Sequence, residues 1–330
     1  MSPDTRAPGA AAGADAGTRG VVFAYHEVGV RCLQVLIDAG LRIPLVVTHR
    51  DDPAENRWFA SVAELAARHG IPVRHAEDLD DAALAAAVRD ARPDFIFSFY
   101  YRRMLPVAIL ELATHGAYNM HGSLLPRYRG RVPVNWAVLH GEPETGATLH
   151  EMVAKPDAGR IAGQEAVPIG PDDTAAEVFA RVTGAAERVL RRALPGLVDG
   201  SLKLEAQNLA LGSYFGGRRP EDGRIDWRQN ARSIHNLVRA VAPPYPGAYT
   251  ELDGARLYVY RTRVIETPGE RPAVLAPRPA LLLAPEGAAH VGAICADGSA
   301  LALLELALDG RPLGVAEFAL RFGRGPLFPA

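Results

Sequence analysis

Short apolar runs alternate with amphipathic stretches through the first 120 residues, and this alternation constrains the fold more than any other feature of the sequence. The apolar runs suit buried strands, whereas the stretches between them repeat their apolar residues every three or four positions, as helices do. Such an alternation predicts a Rossmann-like α/β domain, with a mostly parallel sheet and helices on both faces. The predicted strands are 21–24, 41–47, 71–74, 95–99 and 116–120, and the predicted helices are 28–39, 54–69, 81–91 and 107–112.

The pattern changes after residue 200, which predicts a second domain. A long helical stretch, 174–198, closes the first domain, and Pro195 and Gly196 are expected to end or kink it early. Beyond one further helix, 231–242, short β-like runs are separated by proline and glycine, which is typical of a small OB-like barrel. We predict a disordered tail over 1–19, a catalytic domain over 20–200, a linker over 201–220 and a β-rich domain over 221–330.

Composition excludes several classes of protein. The chain has 330 residues, 36 basic and 38 acidic ones, and residues 207–330 hold 14 arginines against 12 acidic residues, so no strong positive field favours nucleic acid. Two cysteines far apart exclude a disulfide framework. No apolar run approaches the ~20 residues that span a bilayer, and the first residues lack the apolar core of a signal peptide. These features predict a cytoplasmic protein without membrane insertion.

The common phosphate and metal motifs are absent from the sequence. The first predicted strand is followed by Tyr25-His26-Glu27-Val28-Gly29 rather than by G-x-G-x-x-G, so a dinucleotide cofactor is not expected. The sequence also lacks a Walker A motif, a G-x-S-x-G nucleophile elbow and an H-E-x-x-H zinc motif. By elimination, the chemistry is expected to be acid–base or group-transfer chemistry without a metal.

The most informative segment follows the predicted strand 116–120. Side chains at positions i and i+2 of a strand project to the same side, so Asn119 and His121 are expected to face one small volume. An amide donor then stands beside a titratable imidazole. Each residue also has an ordinary explanation, because His121 can be a buried structural histidine and Asn119 a turn residue. The two residues together indicate a functional site more specifically than either residue does alone.

Charged residues follow this pair in two places. Arg127, Arg129 and Arg131 alternate in a loop, where they suit a carboxylate or phosphate of a ligand, or form a solvated basic surface. Asp157 lies in a turn-forming cluster after the strand-like run 148–153. Asp157 is either the residue of an Asx turn or a partner of His121 that stabilises the charged imidazole and fixes its tautomer.

These residues carry a family resemblance. The segment Asn119-Met120-His121-Gly122-Ser123-Leu124-Leu125-Pro126, together with Asp157-Ala158-Gly159, resembles the signature of the 10-formyltetrahydrofolate-dependent formyltransferases. Within that family, the chain is most similar to the formyltransferase domains that act on UDP-4-amino-4-deoxy-L-arabinose in lipid A modification and polymyxin resistance. The stretches that carry this similarity are 22–26, 97–102, 129–131, 215–222, 236–241 and 245–248.

The resemblance implies a role for each matching residue. Asn119 would donate to the developing oxyanion, His121 would act as the acid–base catalyst, and Asp157 would raise the pKa of His121. 10-Formyltetrahydrofolate would be the co-substrate, a nucleotide-linked amino sugar the acceptor, and no metal would take part. The implied folate contacts are Arg103, Met104, Leu105, Arg131, Val153, Ala154, Lys155, Pro156 and Asp157, and the implied substrate contacts are Tyr25, Arg218 and Arg219.

Three alternatives remain open at this point. Methionyl-tRNA formyltransferases share the signature, although they typically carry a G-T-P-like turn where this chain has Tyr25-His26-Glu27. Another nucleotide-linked amino sugar is a second alternative, and a folate-binding module without activity is a third. If the pathway is that of lipid A modification, a separate polypeptide is expected to carry out the oxidative decarboxylation.

Overall fold

The computed structural model describes residues 17–51, 58–265, 281–284, 286–324, 326, 327 and 329. The predicted tail therefore lies outside the described residues up to residue 16, and Arg19, its last residue, belongs to the first strand. The predicted helix 54–69 lies partly outside them. Its described part begins at Val62, because the Ser61 hydroxyl accepts a hydrogen bond from Glu64 N and caps the helix there.

The N-terminal half of the chain forms a seven-stranded sheet in the order β3-β2-β1-β4-β5-β7-β8. The first five strands pair in parallel, whereas β7 and β8 are antiparallel to their neighbours. The predicted mostly parallel sheet is thus confirmed. The strands are β1 (Arg19–Ala24), β2 (Arg42–Thr48), β3 (Val73–His75), β4 (Phe95–Phe99), β5 (Gly116–His121), β6 (Arg129–Gly130, outside this sheet), β7 (Glu144–Glu151) and β8 (Ile161–Pro168).

Helices cover both faces of this sheet, and β1 shows why. Val22 packs in the cluster that holds the apolar residues of α1 and α6, whereas Val21 and Phe23 pack in a second cluster with those of α3 and α4. Successive side chains of one strand therefore supply two cores. The helices are α1 (His26–Asp38), α2 (Val62–Arg68), α3 (Asp81–Ala91), α4 (Val107–Leu110), α5 (Pro133–Leu139), α6 (Ala175–Val198), α7 (Ala231–Val241) and α8 (Val315–Phe322).

The long helix α6 runs through Pro195, so the expectation that Pro195 and Gly196 end it early is wrong. The carbonyl of Pro195 still accepts a hydrogen bond from Asp199 N, which keeps the last turn closed. At the other end, Thr174 and Glu177 form a reciprocal capping box, so the helix begins where the sequence predicts. No helix of the described ranges is both long and apolar enough to cross a membrane.

The C-terminal half forms an antiparallel six-stranded sheet, which confirms the predicted β-rich domain. Its order is β10-β11-β14-β13-β12, with β15 paired to β14, so its described strands form a half-barrel. The predicted linker 201–220 contributes β9, which pairs in parallel with β6 of the first domain. The strands are β9 (Tyr214–Phe215), β10 (Ala248–Leu252), β11 (Ala255–Ile265), β12 (Leu281–Leu283), β13 (Val291–Ile294), β14 (Ala300–Leu308) and β15 (Arg311–Pro312).

Helix α7 joins the two domains through buried polar contacts. Arg239 donates from Nη1 to the carbonyls of Gly170 and Asp173, at 3.3 and 3.1 Å. Asn135 of α5 donates to the carbonyl of Ala240, at 2.8 Å. Because buried carbonyls that lose their donors destabilise a fold, these contacts fix the C-terminal domain against the N-terminal domain.

Replacing Arg239 with methionine tests this interface. Arg239→Met keeps the apolar stem but removes the arginine donor from both carbonyls, although Gly170 keeps a hydrogen bond of 3.3 Å from Asp173 N, so we expect the free energy of unfolding to fall by about 1–3 kcal/mol. Urea denaturation measures the change. The control is Arg256→Met, which removes an exposed arginine paired with Glu251 and should change the value by less than about 0.5 kcal/mol. Equal effects of the two variants would contradict the assignment.

Candidate active site

Asn119 and His121 lie at the carboxyl end of β5, where ligands of parallel sheets gather. The antiparallel partner β7 aligns Asn119 with His150, and Nδ2 of Asn119 lies 3.2 Å from Nε2 of His150. Nδ1 of His150 lies 2.7 Å from the Glu151 carbonyl, to which it donates. In the tautomer that fits both contacts, Nδ1 of His150 carries the proton and Nε2 accepts the hydrogen bond from Asn119. The Asn119 amide is thereby oriented by a second histidine.

Asp157 completes a cluster with the two histidines. Its Oδ1 lies 3.6 Å from His121 Nδ1 and 3.5 Å from His150 Nε2. Its Oδ2 accepts a hydrogen bond of 2.8 Å from Gly130 N. Asp157 has a positive φ of 51°, in a tight turn that faces its carboxylate toward β5. The structure thus brings together the three residues for which the resemblance implied catalytic roles.

The loop after β5 folds back onto His121. Nε2 of His121 donates to the Tyr128 carbonyl at 2.8 Å, and the Ser123 hydroxyl donates to the Arg127 carbonyl at 2.7 Å. Because Nε2 carries the proton of the neutral ring, the lone pair lies on Nδ1, which faces Asp157. A Cβ atom on Gly122 would collide with the Tyr100 hydroxyl, so packing inside the protein requires a glycine there.

Burial determines the charge of His121. It lowers the pKa of His121 below the ordinary value of 6.5, although Asp157 and the Tyr128 carbonyl both raise it. Burial alone would raise the pKa of Asp157, but the two histidines and the Gly130 N–H lower it to about 2. At pH 7 the ring is therefore neutral and the carboxylate ionised. Asp157 acts in the direction that the resemblance implied, but its effect is smaller than that of burial.

Sequence reasoning missed His150. Its place beside Asn119 depends on the register of β5 and β7, which are separated along the chain by the loop and α5. The available signal was the strand-like run that begins at Thr148, since a histidine in the next strand can face the same side.

The implied folate contacts lie on two loops. Arg103 donates from Nη1 to the Ala76 carbonyl at 2.8 Å, so its side chain stabilises its own loop. The same loop is held by His49 Nε2, which accepts from Arg102 N at 3.1 Å. Leu105 is buried, but Met104 is 69% exposed, and Val153 on the second loop is 42% exposed. The remaining contacts, Ala154, Lys155, Pro156 and Asp157, follow Val153 in that loop.

The implied substrate contacts do not form one group. Tyr25 is buried beneath the guanidinium of Arg102, which lies 4.4 Å from the ring centre. Arg218 covers the indole of Trp136 at 4.9 Å and lines a cavity of about 350 Å³ between α5 and α7. Arg219 is exposed and outside that cavity lining. Arg131, an implied folate contact, packs beside Gly217. In the described part of the chain, no three His, Cys, Asp or Glu residues form a metal-binding group.

The electrostatic arrangement predicts a titration. NMR titration of the His121 ring should give a pKa below 6.5, because burial disfavours the charged ring. Asp157→Asn should lower this pKa further, since it removes the negative charge that raises it. The exposed control Asp199→Asn should leave the His121 titration unchanged. An increase of the His121 pKa in Asp157→Asn would contradict the assignment.

Solved structures with this fold include formyltransferases. WlaRD, described as a sugar 3N-formyl transferase in the presence of dTDP and 5-N-formyl-THF, is 17% identical with a TM-score of 0.65, over 89% of this chain and 98% of its own. The N-formyltransferase from Helicobacter canadensis, in complex with folinic acid and dTDP-3-aminofucose, is 18% identical with a TM-score of 0.67, over 87% and 98%. HypX from Aquifex aeolicus, with tetrahydrofolic acid, is 20% identical with a TM-score of 0.60, over 94% of this chain and 48% of HypX.

At such identities the three structures show a common fold, and the family follows from the sequence matches. Residues 26–194 match the formyl transferase family, and residues 218–323 match the formyl transferase C-terminal domain. The first match alone covers more than half of the chain and includes Asn119, His121 and Asp157. The predicted formyl-transferring enzyme is thereby confirmed, and the chain belongs to the formyl transferase family.

Proposed function

We propose that this protein transfers the formyl group of 10-formyltetrahydrofolate to the 4-amino group of UDP-4-amino-4-deoxy-L-arabinose. The observation that carries the proposal is the cluster of Asn119, His121 and Asp157 at the end of β5. The sequence stretches 129–131 and 215–222 favour this acceptor within the family. Two proteins of the same fold, WlaRD and the Helicobacter canadensis enzyme, are described as N-formyltransferases with dTDP or a dTDP-amino sugar, which supports a nucleotide-linked amino sugar in general.

The folate fits the described residues around this cluster. Met104 and Val153 leave apolar side chains exposed on the two loops that the resemblance assigns to folate, and an apolar ring system would cover them. When bound, 10-formyltetrahydrofolate supplies a formyl group that is activated by its attachment to N10. The proposed contacts are Arg103, Met104, Leu105, Arg131, Val153, Ala154, Lys155, Pro156 and Asp157.

Each group of the cluster has a task in amide formation. Negative charge develops on the formyl oxygen during attack by the amine, and Nδ2 of Asn119, oriented by His150, is the donor that stabilises it. His121 is neutral at pH 7, and its free lone pair on Nδ1 accepts the proton that the attacking amine must lose. The imidazolium formed in this step faces Asp157, whose carboxylate stabilises the new charge. His121 then returns the proton to N10 as the bond between N10 and the formyl carbon breaks, so that tetrahydrofolate leaves and the ring is neutral again.

A direct assay tests the acceptor. Purified protein with 10-formyltetrahydrofolate is offered UDP-4-amino-4-deoxy-L-arabinose, dTDP-3-aminofucose and initiator methionyl-tRNA in parallel, and the formylated products are quantified by mass spectrometry. We expect product on the UDP sugar. Product only on the dTDP sugar would retain sugar-nucleotide formylation but reject the proposed acceptor. Product only on the tRNA would reject the class of substrate.

Removing the amide donor tests the role of Asn119. Asn119→Asp keeps the size of the side chain but replaces its donor by an acceptor, so we expect kcat to fall by roughly 10²- to 10³-fold. Steady-state kinetics with saturating folate measure the change. The control is Asn208→Asp, where the side chain only accepts a hydrogen bond from Ala210 N and the substitution keeps an acceptor. A kcat within about twofold of the unmodified enzyme in Asn119→Asp would exclude the role.

A further inference from the structure

Arg129 is a buried cation without a counter-ion in the described part of the protein. Its side chain is only 9% exposed, and its Nε atom is buried without a hydrogen-bond partner. In the described ranges, no ion pair or hydrogen bond of this side chain is found, and Nη1 and Nη2, unlike Nε, are not buried and reach solvent. The neighbouring arginine, Arg127, is instead paired with Glu142 at 2.5 Å. The guanidinium is thus mostly enclosed by protein and has no counter-ion there, but its Nη atoms remain accessible, so they can bind an anion that comes from outside the chain.

The backbone on both sides of Arg129 holds the catalytic cluster. The preceding carbonyl, of Tyr128, accepts the hydrogen bond from His121, and the following amide, of Gly130, donates to Asp157. The Arg129 N–H itself donates to the carbonyl of Ser213, the residue before β9, at 3.0 Å. An anion bound by this guanidinium would therefore be close to the reacting groups.

The pairing of β6 with β9 divides their side chains between two faces. Tyr128 and Phe215 stack on one face, with ring centres 5.2 Å apart, and Phe215 also stacks on Trp136. Arg129 is aligned with Tyr214, so alternation places these two side chains on the opposite face. Arg218 covers Trp136 and hence belongs to the first face. Tyr214 is 60% exposed and borders Gly130.

We propose that Arg129 binds the diphosphate of the nucleotide-linked substrate, with the ring of Tyr214 available to pack against its sugar or base. This assignment rests on the proposed function and adds Arg129 to Arg218, whose buried Nε also lacks a partner but whose Nη2 already donates to the Asp222 carbonyl at 2.9 Å. A guanidinium binds phosphate oxygens through two parallel hydrogen bonds, which lysine cannot reproduce. The carboxylates of the folate tail are also anions that a guanidinium binds. The experiment must therefore distinguish binding of the diphosphate from binding of these carboxylates.

Binding and kinetics of Arg129→Met test the proposal. Calorimetric titration with UDP should show a Kd raised by roughly 10- to 100-fold, and the KM for the sugar nucleotide should rise by a similar factor. The KM for the folate co-substrate should stay within about twofold. The melting temperature without ligand should not fall, because methionine fills the same space and no protein group loses a partner. The control Arg191→Met, on the exposed surface of α6, should leave all four quantities unchanged.

Several outcomes would overturn the assignment. A rise in the folate KM alone would assign Arg129 to the folate carboxylates, and a lower melting temperature with unchanged UDP affinity would make the residue structural. If Arg129→Met does not fold, Arg129→Lys decides, because it keeps the charge but should still weaken UDP binding by about tenfold. UDP binding is measured without formyl transfer, so binding that depends on Arg129 would support the subsite even if UDP-4-amino-4-deoxy-L-arabinose is not formylated. An unmodified enzyme that binds neither UDP nor inorganic pyrophosphate would reject it.

Discussion

The carboxylate of Asp157 is the group on which the arrangement of the site depends. One oxygen faces both His121 and His150, and the other accepts the N–H of Gly130. These contacts connect β5, β7 and the β6–β9 pair, which are distant in sequence. A buried carboxylate is tolerated only where donors and positive charge compensate its lost hydration. The hydrogen bond from Gly130 N helps to keep Asp157 ionised, and the same contact fixes the carboxylate beside the two histidines.

The reversal of direction within the sheet supplies the second half of the site. The parallel strands end with β5, and the antiparallel β7 then runs beside it, so that His150 stands opposite Asn119. The antiparallel pair lets Asn119 be oriented by a direct hydrogen bond to a neighbouring strand. It also brings the turn that carries Asp157 back to β5, since this turn follows β7 directly.

The part of this site that depends on neighbouring residues could be predicted from the sequence. The part that depends on the pairing of distant strands could not. The two-residue period of a strand was sufficient to place Asn119 and His121 on one side, and strand–helix alternation predicted the sheet. His150 was missed because its position depends on a register that no local pattern encodes. The three alternating arginines looked equivalent in sequence. They differ in the structure because Glu142 reaches Arg127, whereas β9 buries Arg129, and both contacts come from other segments.

The charges of the site complement those of the proposed acceptor, an amino-sugar nucleotide. Such a molecule carries an amine that must be neutral to attack and a diphosphate that stays anionic. His121 is neutral at pH 7 because burial lowers its pKa, so it does not repel the amine and it can accept the proton released during attack. Asp157 then balances the imidazolium, whereas the buried charge of Arg129 has no use in proton transfer and suits the diphosphate. Since Arg129 lies between the two residues whose backbone holds His121 and Asp157, substrate binding and proton transfer are supported by one short segment of chain.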